Sequence, residues 1–344
     1  MNIIYHSFDG ALRVATVLLI CASVQAQNLY VVNAGSYPNF SGNITEITPG
    51  GVQTTIASGL NYPSGLAFNN AGDLFVANGT ASPNAYANTI TEITPSGAQS
   101  TFATFVFNPR GLAFNSAGDL FVSGGLNRNI TEITPDGTQS TIASGLGYYL
   151  WAMAFDSSGD LFLADQWGST IYEISPGGVQ SIFSYNKNDP MGLAFNGAGD
   201  LFVSDMFGNI YEITPGGVQT SFASGLFEPT GLVFNSAGDL FVADQGSGNI
   251  YEFTPDGVRS TFASGLDQPV ALAFEPSPEL MAAVTNGVIQ VAVSMPSPYL
   301  STIVQVSTDM VNWTSVYTNT PPFTFTNSID TTSPCRFYRA LLGP

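Results

Sequence analysis

The feature that most constrains the fold of this chain is a unit of about 40 residues that recurs along most of its length. One copy, Gly231 to Val270, reads GLVFNSAGDLFVADQGSGNIYEFTPDGVRSTFASGLDQPV and contains four short apolar runs separated by turn residues. Short runs rich in Val, Phe, Ile and Thr are typical of strands. Since the unit lacks the spacing of an amphipathic helix, it predicts four strands and an all-β protein.

The spacing between copies indicates the architecture. Further copies begin at Gly65, Gly111, Ala152, Gly192 and Ala271. The successive offsets, with Gly231 included, are 46, 41, 40, 39 and 40 residues. This is the period of a four-stranded β-propeller blade. A single blade cannot bury both of its faces, whereas blades stacked around a ring can.

The number of strand patterns predicts how the ring closes. The first-strand pattern and the second-strand pattern each occur six times. The first copy of the second strand, Leu29 to Val32, has no first strand before it, and Ala271 to Phe274 has no full blade after it. We therefore predict that the late strand completes the first blade, so that six blades close without a free sheet edge. A seven-bladed ring that includes Met281 to Val293 is the alternative.

The N-terminal end does not follow the repeat. Residues 1–26 predict a signal peptide, because Arg13 precedes the apolar run Val14 to Ala22, and Val24 to Ala26 offers a small-residue cleavage site. The apolar run is too short to span a membrane. A lipoprotein anchor at Cys21 is the alternative. A cleaved leader predicts a secreted or extracellular protein, or one held in the periplasm or at the cell surface.

The C-terminal end also departs from the repeat. Residues 27–275 are predicted to be the propeller, and residues 276–344 begin with a Pro-Ser-Pro linker. Beyond the linker, strands are predicted at Val288 to Val293, Thr302 to Ser307, Thr314 to Tyr317, Phe323 to Thr326 and Phe337 to Leu341. We predict that they form a small antiparallel β-sandwich module.

Composition excludes several classes of function. The formal net charge is −18, which disfavours nucleic acid and anionic membrane surfaces as partners. The His is His6 and the Cys residues are Cys21 and Cys335, so a chain cleaved after residue 26 keeps no His and one Cys. Such a chain can form no intramolecular disulfide, no Ser-His-Asp or Cys-His relay, and no His/Cys zinc cluster.

One candidate set lies where the chain enters the first strand of each blade. These entry residues are Ser64, Arg110, Trp151, Met191, Thr230 and Val270. We predict that they surround the mouth of the central channel, where Trp151 could stack on a ligand and Arg110 could hold an anion. The alternative is that Trp151 and Met191 plug the mouth.

A second candidate set lies where the chain leaves the second strand of each blade. These exit residues are Asn33, Asn78, Gly124, Asp165, Asp205 and Asp244. Three like charges near one axis repel each other unless they are separated, hydrated or bridged by a cation. Asp165, Asp205 and Asp244 are therefore candidates for a calcium site, and Asn78 is a further ligand-binding candidate. The alternative is that each Asp caps its own loop.

The unit GLVFNSAGDLFVADQGSGNIYEFTPDG resembles NHL-type repeats and the wider SMP-30/gluconolactonase-like class of six-bladed propellers, from Leu29 to Phe274. That class includes calcium-dependent lactonases, lyases and binding proteins. In the lactonases the metal-binding Glu, Asn and Asp come largely from the entry position, and none of the six entry residues here is one of these types. The C-terminal stretch VQVSTDMVNWTSVYTNTPPFTFTN resembles a small module found at the ends of secreted bacterial proteins.

These observations together predict a secreted binding or scaffold protein that recognises a ligand on the face around the channel mouth. The predicted partner is an extracellular polysaccharide, a small molecule or a protein. The alternatives are a calcium-dependent hydrolase or lyase that uses the exit Asp residues, and a structural surface protein.

Overall fold

A computed structural model describes residues 27–36, 41–79, 88–104, 106, 108–124, 128–147, 149–185 and 188–276, together with strands at 2–5, 17–20, 279–285, 288–294, 302–307, 314–319, 323–328 and 337–342. The chain divides into two compact units. One consists of Gln27–Asn69 and Asp73–Glu275, and the other of Met1–Ala26, Asn70–Gly72 and Pro276–Pro344. The last two residues of the predicted linker, Ser277 and Pro278, lie outside the described residues.

The described secondary structure consists of strands. In chain order they are β1 (Asn2–Tyr5), β2 (Val17–Ile20), β3 (Leu29–Asn33), β4 (Ser41–Ile47), β5 (Gln53–Asn61), β6 (Pro63–Phe68), β7 (Leu74–Asn78), β8 (Thr89–Ile93), β9 (Gln99–Thr104), β10 (Pro109–Phe114), β11 (Leu120–Gly124), β12 (Asn129–Ile133), β13 (Gln139–Ser144), β14 (Leu150–Phe155), β15 (Leu161–Asp165), β16 (Thr170–Ile174), β17 (Gln180–Tyr185), β18 (Pro190–Phe195), β19 (Leu201–Asp205), β20 (Ile210–Ile213), β21 (Gln219–Ala223), β22 (Pro229–Phe234), β23 (Leu240–Asp244), β24 (Asn249–Phe253), β25 (Arg259–Ala263), β26 (Pro269–Phe274), β27 (Glu279–Thr285), β28 (Val288–Ser294), β29 (Thr302–Ser307), β30 (Thr314–Asn319), β31 (Phe323–Ser328) and β32 (Phe337–Leu342).

Six four-stranded antiparallel sheets form the propeller. Blade one is β26-β3-β4-β5, and blades two to six are β6–β9, β10–β13, β14–β17, β18–β21 and β22–β25. The predicted six-bladed ring is confirmed. The seven-bladed alternative is wrong, because β27 pairs with β28, and β28 pairs with β31, in a separate three-stranded sheet.

The ring closes through β26, as the strand count predicts. This strand pairs antiparallel with β3, with Phe274 opposite Leu29 and Pro269 opposite Asn33. The backbone N–H of Glu275 donates to the carbonyl of Asn28 at 3.1 Å and extends the pairing by one step. The first strand of blade one therefore comes from the far end of the propeller sequence, and each of the six blades has four strands.

The second strands are buried along their whole length, which explains their continuous apolar runs. An aromatic ring on each second strand meets a Phe of the next blade's first strand in an edge-to-face contact, with centroids 4.9 to 5.1 Å apart. The pairs are Tyr30–Phe68, Phe75–Phe114, Phe121–Phe155, Phe162–Phe195, Phe202–Phe234 and Phe241–Phe274. Such pairs contribute about 0.5 to 1.5 kcal/mol each beyond area burial, so the recurring aromatic residue joins neighbouring blades.

The inner strands approach each other too closely for a side chain at four of the six copies of the first-strand Gly position, which are Gly65, Gly111, Gly192 and Gly231. A Cβ at Gly192 would overlap the carbonyl oxygen of Thr230 in blade six, and one at Gly65 would overlap that of Arg110. Next to this contact, the Ser204 hydroxyl accepts from the N–H of Gly192 at 2.9 Å and donates to the Thr230 carbonyl at 3.1 Å. At these four copies the Gly is required by the packing of blade on blade rather than by a turn, whereas blades four and one carry Ala152 and Ala271 at the same position.

The second acidic series of the repeat serves the first hairpin of each blade. In blade six, the side chain of Asn235 accepts from the N–H of Asp239 at 2.8 Å and donates to its carboxylate at 2.9 Å. The same pair of bonds forms between Asn115 and Asp119. These carboxylates are turn residues and lie at the opposite end of the blade from the candidate site residues.

The second unit contains two sheets. One is β27-β28-β31, which is antiparallel, and the other has the order β1-β2-β32-β29-β30. The five strands predicted after the linker are present as β28 to β32. The five-stranded sheet is not wholly antiparallel, because β2 pairs parallel with β32. Packing of the two sheets as a sandwich, and removal of residues 1–26 as a leader, both stay predictions. In the described part of the chain, no helix is long and apolar enough to cross a membrane.

A partly buried acidic pair at the ring closure makes stability depend on pH. Burial and the nearby Glu46 carboxylate raise the pKa of Glu275, and the Tyr30 hydroxyl donates to Glu46 at 3.2 Å. Because the folded pKa exceeds the unfolded one, the ionised form of Glu275 disfavours folding, so stability should increase as pH falls from neutral through the raised pKa. We expect Glu275→Gln to raise the melting temperature at pH 7 to 8 and to remove part of this slope.

Thermal melts between pH 4 and 8 check this prediction. Glu212→Gln, in the third strand of blade five, is the matched control for loss of a carboxylate. A Glu275→Gln variant that melts below the native protein at pH 8 would contradict the assignment.

Candidate functional site

Both candidate sets lie at one end of the ring, which we call the mouth face. The strand registers place each exit residue opposite the start of its blade's first strand, as in Pro109 with Gly124 and Leu150 with Asp165. The same register holds for Pro190 with Asp205. The loops that enter the first strands and leave the second strands therefore share one surface.

The central cavity opens between the first strands of the blades and has a volume of about 90 Å³. Five of the six predicted entry residues line it: Ser64, Arg110, Trp151, Thr230 and Val270. Met191 is buried but is not part of the lining. A cavity of this size holds a few ordered waters, so a larger ligand has to bind across the mouth rather than within the channel.

Arg110 lies at the mouth among aromatic rings from both neighbouring blades. Its guanidinium carbon lies 4.6 Å from the ring centroid of Trp151, 5.1 Å from that of Tyr149 and 5.5 Å from that of Tyr62. Its Nη2 donates a hydrogen bond to the Tyr149 hydroxyl at 2.6 Å. Trp167 stacks on Tyr149 with an interplanar angle of 12° and a centroid distance of 4.9 Å. We call Tyr62, Tyr149, Trp151 and Trp167 the aromatic cluster.

The Arg110 side chain is a buried cation with incomplete hydrogen bonding. It is 7% exposed, and its Nε has no hydrogen-bond partner among the described residues. In the described part of the chain, no carboxylate lies within ion-pair distance of it. Contacts between a cation and aromatic faces stabilise the charge by about 0.5 to 2 kcal/mol each, but they leave the free N–H donors without acceptors.

Exposed apolar side chains continue the mouth face from Trp167 of the aromatic cluster toward blades five and six. Trp167, Met206, Phe207 and Phe227 project from the loops of blades four, five and six, and their exposures range from 42% to 70%. We call these four residues the apolar arc. The side chains of Gln166 and Met206 touch across neighbouring blades at 3.7 Å. Exposed apolar groups gathered on one surface, rather than scattered singly, are typical of interaction sites.

The other polar entry residues are used within the ring. The Ser64 hydroxyl donates to the Pro109 carbonyl at 2.9 Å, and the Thr230 hydroxyl donates to the Pro269 carbonyl at 3.2 Å. Both bonds join one blade to the next at the mouth. Arg110 also bonds to the next blade, through the Tyr149 hydroxyl, and both Arg110 and Trp151 line the cavity.

Each exit Asp is bound by its own loops. Asp205 accepts from the N–H groups of Phe207 and Asn209 at 2.9 Å each, and from the Asn209 side chain. Asp244 accepts from the N–H of Phe227 at 2.6 Å and from the Ser247 hydroxyl at 2.5 Å. Burial raises the pKa of Asp244, and these hydrogen bonds partly oppose the shift.

Asp165 completes this series. Its carboxylate accepts from the N–H of Tyr149 at 3.4 Å and occupies the space beside Gly147 and Gly168, where a Cβ would overlap it. The described residues contain no group of three or more His, Cys, Asp or Glu side chains placed to hold a metal. Asp205 and Asp244 accept hydrogen bonds within their own exit loops, whereas the Asp165 bond is a long one from the entry loop. The shared cation and the loop cap both stay predictions.

Asn78 is buried, as is the equivalent residue of blade one, Asn33. The Asn78 side-chain N–H donates to the Thr91 hydroxyl at 2.8 Å, while its Oδ1 has no hydrogen-bond partner. The Oδ1 of Asn33 is also without a partner. Asn78 belongs to the mouth face, as predicted, but its amide mainly joins the second and third strands of its own blade.

One substitution distinguishes between two roles of Asp205, a loop cap and a calcium ligand. Asp205→Asn would place an N–H donor against the Asn209 side chain, so we expect a loss of about 1 to 3 kcal/mol of stability. We expect the same melting temperature in millimolar calcium and in chelator, for the native protein and for the variant. Asp136→Asn, in an exposed turn, is the control. A calcium-dependent rise in the native protein that disappears in Asp205→Asn would establish a cation site instead.

Sequence reasoning found Arg110 and Trp151 but missed three of their neighbours. Tyr62 and Tyr149 lie immediately before β6 and β14, two positions before the entry residues Ser64 and Trp151. Trp167 follows the exit residue Asp165 by two positions. The signal that could have found them is the shared mouth face, because the loops of blades two and four lie on either side of Arg110 in blade three.

These features define a six-bladed β-propeller with an arginine held by aromatic rings at its mouth. Solved structures share this fold at low sequence identity. A catalytically inactive histidine-to-alanine variant of virginiamycin B lyase from Staphylococcus aureus with quinupristin matches with a TM-score of 0.54 and 17% identity, over 79% of this chain and 94% of that one. A putative gluconolactonase matches with a TM-score of 0.51 and 17% identity, over 70% and 88%.

An auxiliary nutrient binding protein from Bacteroides thetaiotaomicron matches with a TM-score of 0.54 and 14% identity, over 63% of this chain and 64% of that one. The resemblance of the repeats to SMP-30/gluconolactonase-like propellers is thus confirmed for the fold. No known protein-family profile matches the sequence, and no curated protein matches it significantly. The activity has to be argued from the site itself.

Proposed function

We propose that this protein is a secreted binding propeller that holds a ring-containing ligand on its mouth face. The observation that carries the proposal is the exposed stack of Trp167 on Tyr149 beside the buried Arg110. Trp167 is 64% exposed and presents an aromatic face to the solvent, a poor arrangement for a side chain with only a packing role. Saccharides and planar small molecules are the ligands that suit such a platform.

The rigid support of the stack favours binding. Tyr149 is held by its bond to Arg110, and Trp151 lies 5.6 Å from it between ring centroids. A pre-organised aromatic surface loses little conformational entropy when a ligand binds. The fold is also compatible with this role, since a propeller of the same architecture is described as an auxiliary nutrient binding protein.

Two observations favour binding over catalysis. The solved lyase variant is described as catalytically inactive after a histidine is replaced, whereas residues 27–275 of this chain contain no His. Three carboxylates of the mouth, those of Asp165, Asp205 and Asp244, accept hydrogen bonds from loop N–H groups, which makes them less available for acid–base chemistry. The hydrolase or lyase alternative therefore lacks a supporting feature in the site.

Calorimetric titration with a panel of oligosaccharides and planar small molecules tests the proposal. We expect Trp167→Ala to weaken binding at least about tenfold, because truncating a central aromatic contact typically costs more than 1 kcal/mol. Val218→Ala is the matched control, since Val218 is equally exposed in a turn at the other end of blade five. Equal affinity of the native protein and Trp167→Ala for every ligand that binds would contradict the proposed site.

The secreted location rests on residues 1–26 and has a test of its own. Expression of the full chain in a bacterium with an intact export pathway should yield a product outside the cytoplasm whose first residue is Gln27. A cytoplasmic product that keeps Met1 would contradict secretion without affecting the binding site.

A further inference from the structure

We propose that the ligand of the mouth face carries a carboxylate, and that Arg110 is the residue that pairs with it. This inference rests on the proposed function and adds the chemical class of the ligand. The chemical unit is a ring with an attached carboxylate, as in a uronic acid of a polysaccharide or in an aromatic acid.

The first step is the state of the Arg110 charge. Arg110 is only 7% exposed, so its charge has lost much of its hydration, and a buried charge is strongly disfavoured unless it is paired and hydrogen-bonded. Its one hydrogen bond goes to a neutral hydroxyl, that of Tyr149. Its Nε has no acceptor, although it is buried. The protein therefore holds a cation ready for an acceptor that it does not itself supply in the described part of the chain.

The second step is the identity of the acceptor. Guanidinium groups bind carboxylates through paired N–H donors, and such charge-assisted bonds are about twice as strong as neutral ones. A carboxylate has one negative charge, whereas a phosphate monoester has about two. The formal net charge of −18 and the nearby Asp165 carboxylate, which is bound to the N–H of Tyr149, disfavour the more highly charged group. A monoanion is thus the better match to a single arginine.

The third step is the position of the ring. The faces of Trp151 and Tyr149 lie against Arg110, and Trp167 continues the stack of Tyr149 outward to 64% exposure. A ligand whose carboxylate reaches Arg110 would place its ring next to these faces. The cation and the stacking surface are therefore within the span of one small ligand unit.

Matched ligand pairs test the proposal. The probes are trigalacturonate with the neutral galactotriose, and 4-hydroxybenzoate with 4-hydroxybenzamide, each titrated by calorimetry. We expect the acid of at least one pair to bind about 10- to 100-fold more tightly than its neutral partner. Preference within the first pair identifies a uronic acid as the source of the carboxylate, and preference within the second identifies an aromatic acid.

Substitutions assign the preference to Arg110. Arg110→Gln should bring the acid and its neutral partner to equal affinity, and Arg110→Lys should retain part of the preference. Arg259→Gln is the matched control, because Arg259 also lies over an aromatic ring, that of Tyr251 at 5.0 Å, but on the outer strands of blade six. Tyr149→Phe, which removes the hydroxyl and leaves the guanidinium, gives a second variant if Arg110→Gln does not fold.

The outcomes separate the two proposals. If the neutral partners bind as tightly as the acids, and Trp167→Ala weakens both, the carboxylate inference is overturned while the mouth-face binding site stands. If an acid is preferred equally by the native protein and by a folded Arg110→Gln, the role of Arg110 is overturned. Binding of neither member of either pair contradicts the inference and the proposed function together.

Discussion

A chain that ends before Pro269 should fail to form a stable propeller, whereas a chain that ends after Glu275 should keep it. The difference is the strand β26, which supplies the inner strand of blade one. Without β26, the inner edge of β3 would be exposed. The apolar residues of β3, including Leu29, Val31 and Val32, would be exposed as well. Each large buried apolar side chain contributes about 1.5 to 3 kcal/mol, and domains are stable by only about 5 to 15 kcal/mol.

Chemical denaturation of the two truncated chains checks this prediction. We expect a cooperative transition for the chain that ends after Glu275 and none for the shorter one, which should also bind hydrophobic dyes and aggregate through its free edge. The longer truncation is the control for removal of the second unit. A cooperative transition of equal midpoint in both chains would show that the ring does not depend on β26.

The second large effect on stability is expected from a substitution that adds one methyl group to an inner strand. Gly192→Ala should destabilise the propeller by about 3 kcal/mol, because overpacking of a well-packed contact costs about 1 to 3 kcal/mol and the Ser204 bridge is lost as well. For a domain of this size the melting temperature should fall by about 10 °C. The new Cβ would meet the backbone of blade six rather than a flexible side chain, so the blades themselves would have to move apart.

Gly197→Ala is the matched control for this substitution. Gly197 lies in the same blade, and a Cβ there would meet no atom within 4 Å. We expect the control to leave the melting temperature within about 2 °C of the native value, since surface substitutions usually change stability by less than 0.5 kcal/mol. Equal melting temperatures for the two variants would contradict the close approach of the inner strands.

The repeat made the ring predictable because each copy carries its own strand and turn signals. Gly, Asn and Asp at fixed offsets mark the hairpins, and six copies of each strand pattern predicted the closure by β26. The role of the first Gly was not predicted, because a close approach between blades is a tertiary contact with no local signature. The same holds for Phe241 and its partner Phe274, which lie in different blades.

The position of the candidate site was predictable from the sequence, but the side chains that form it were only partly predictable. Arg110 and Trp151 were found because they occupy an equivalent place in each repeat. Tyr62 and Trp167 come from loops of the blades on either side, so their proximity to Arg110 depends on the geometry of the ring. The exit Asp residues show the opposite case. Their repetition predicts a shared cation, which stays a prediction, and each carboxylate accepts a backbone N–H from a loop of its own blade.

The antiparallel closure of blade one has a mechanical consequence. Gln27 and Glu275 lie at the same end of the β3–β26 pair, where the Gln27 side chain donates to the Glu275 carbonyl at 2.6 Å. Tension applied through the two ends of the propeller would therefore load the Leu29–Phe274 pair first and the Asn33–Pro269 pair last. The strands would separate one residue pair at a time rather than slide past each other under shear. The ring should thus open at low force when pulled from both ends, even though its interior is continuously packed.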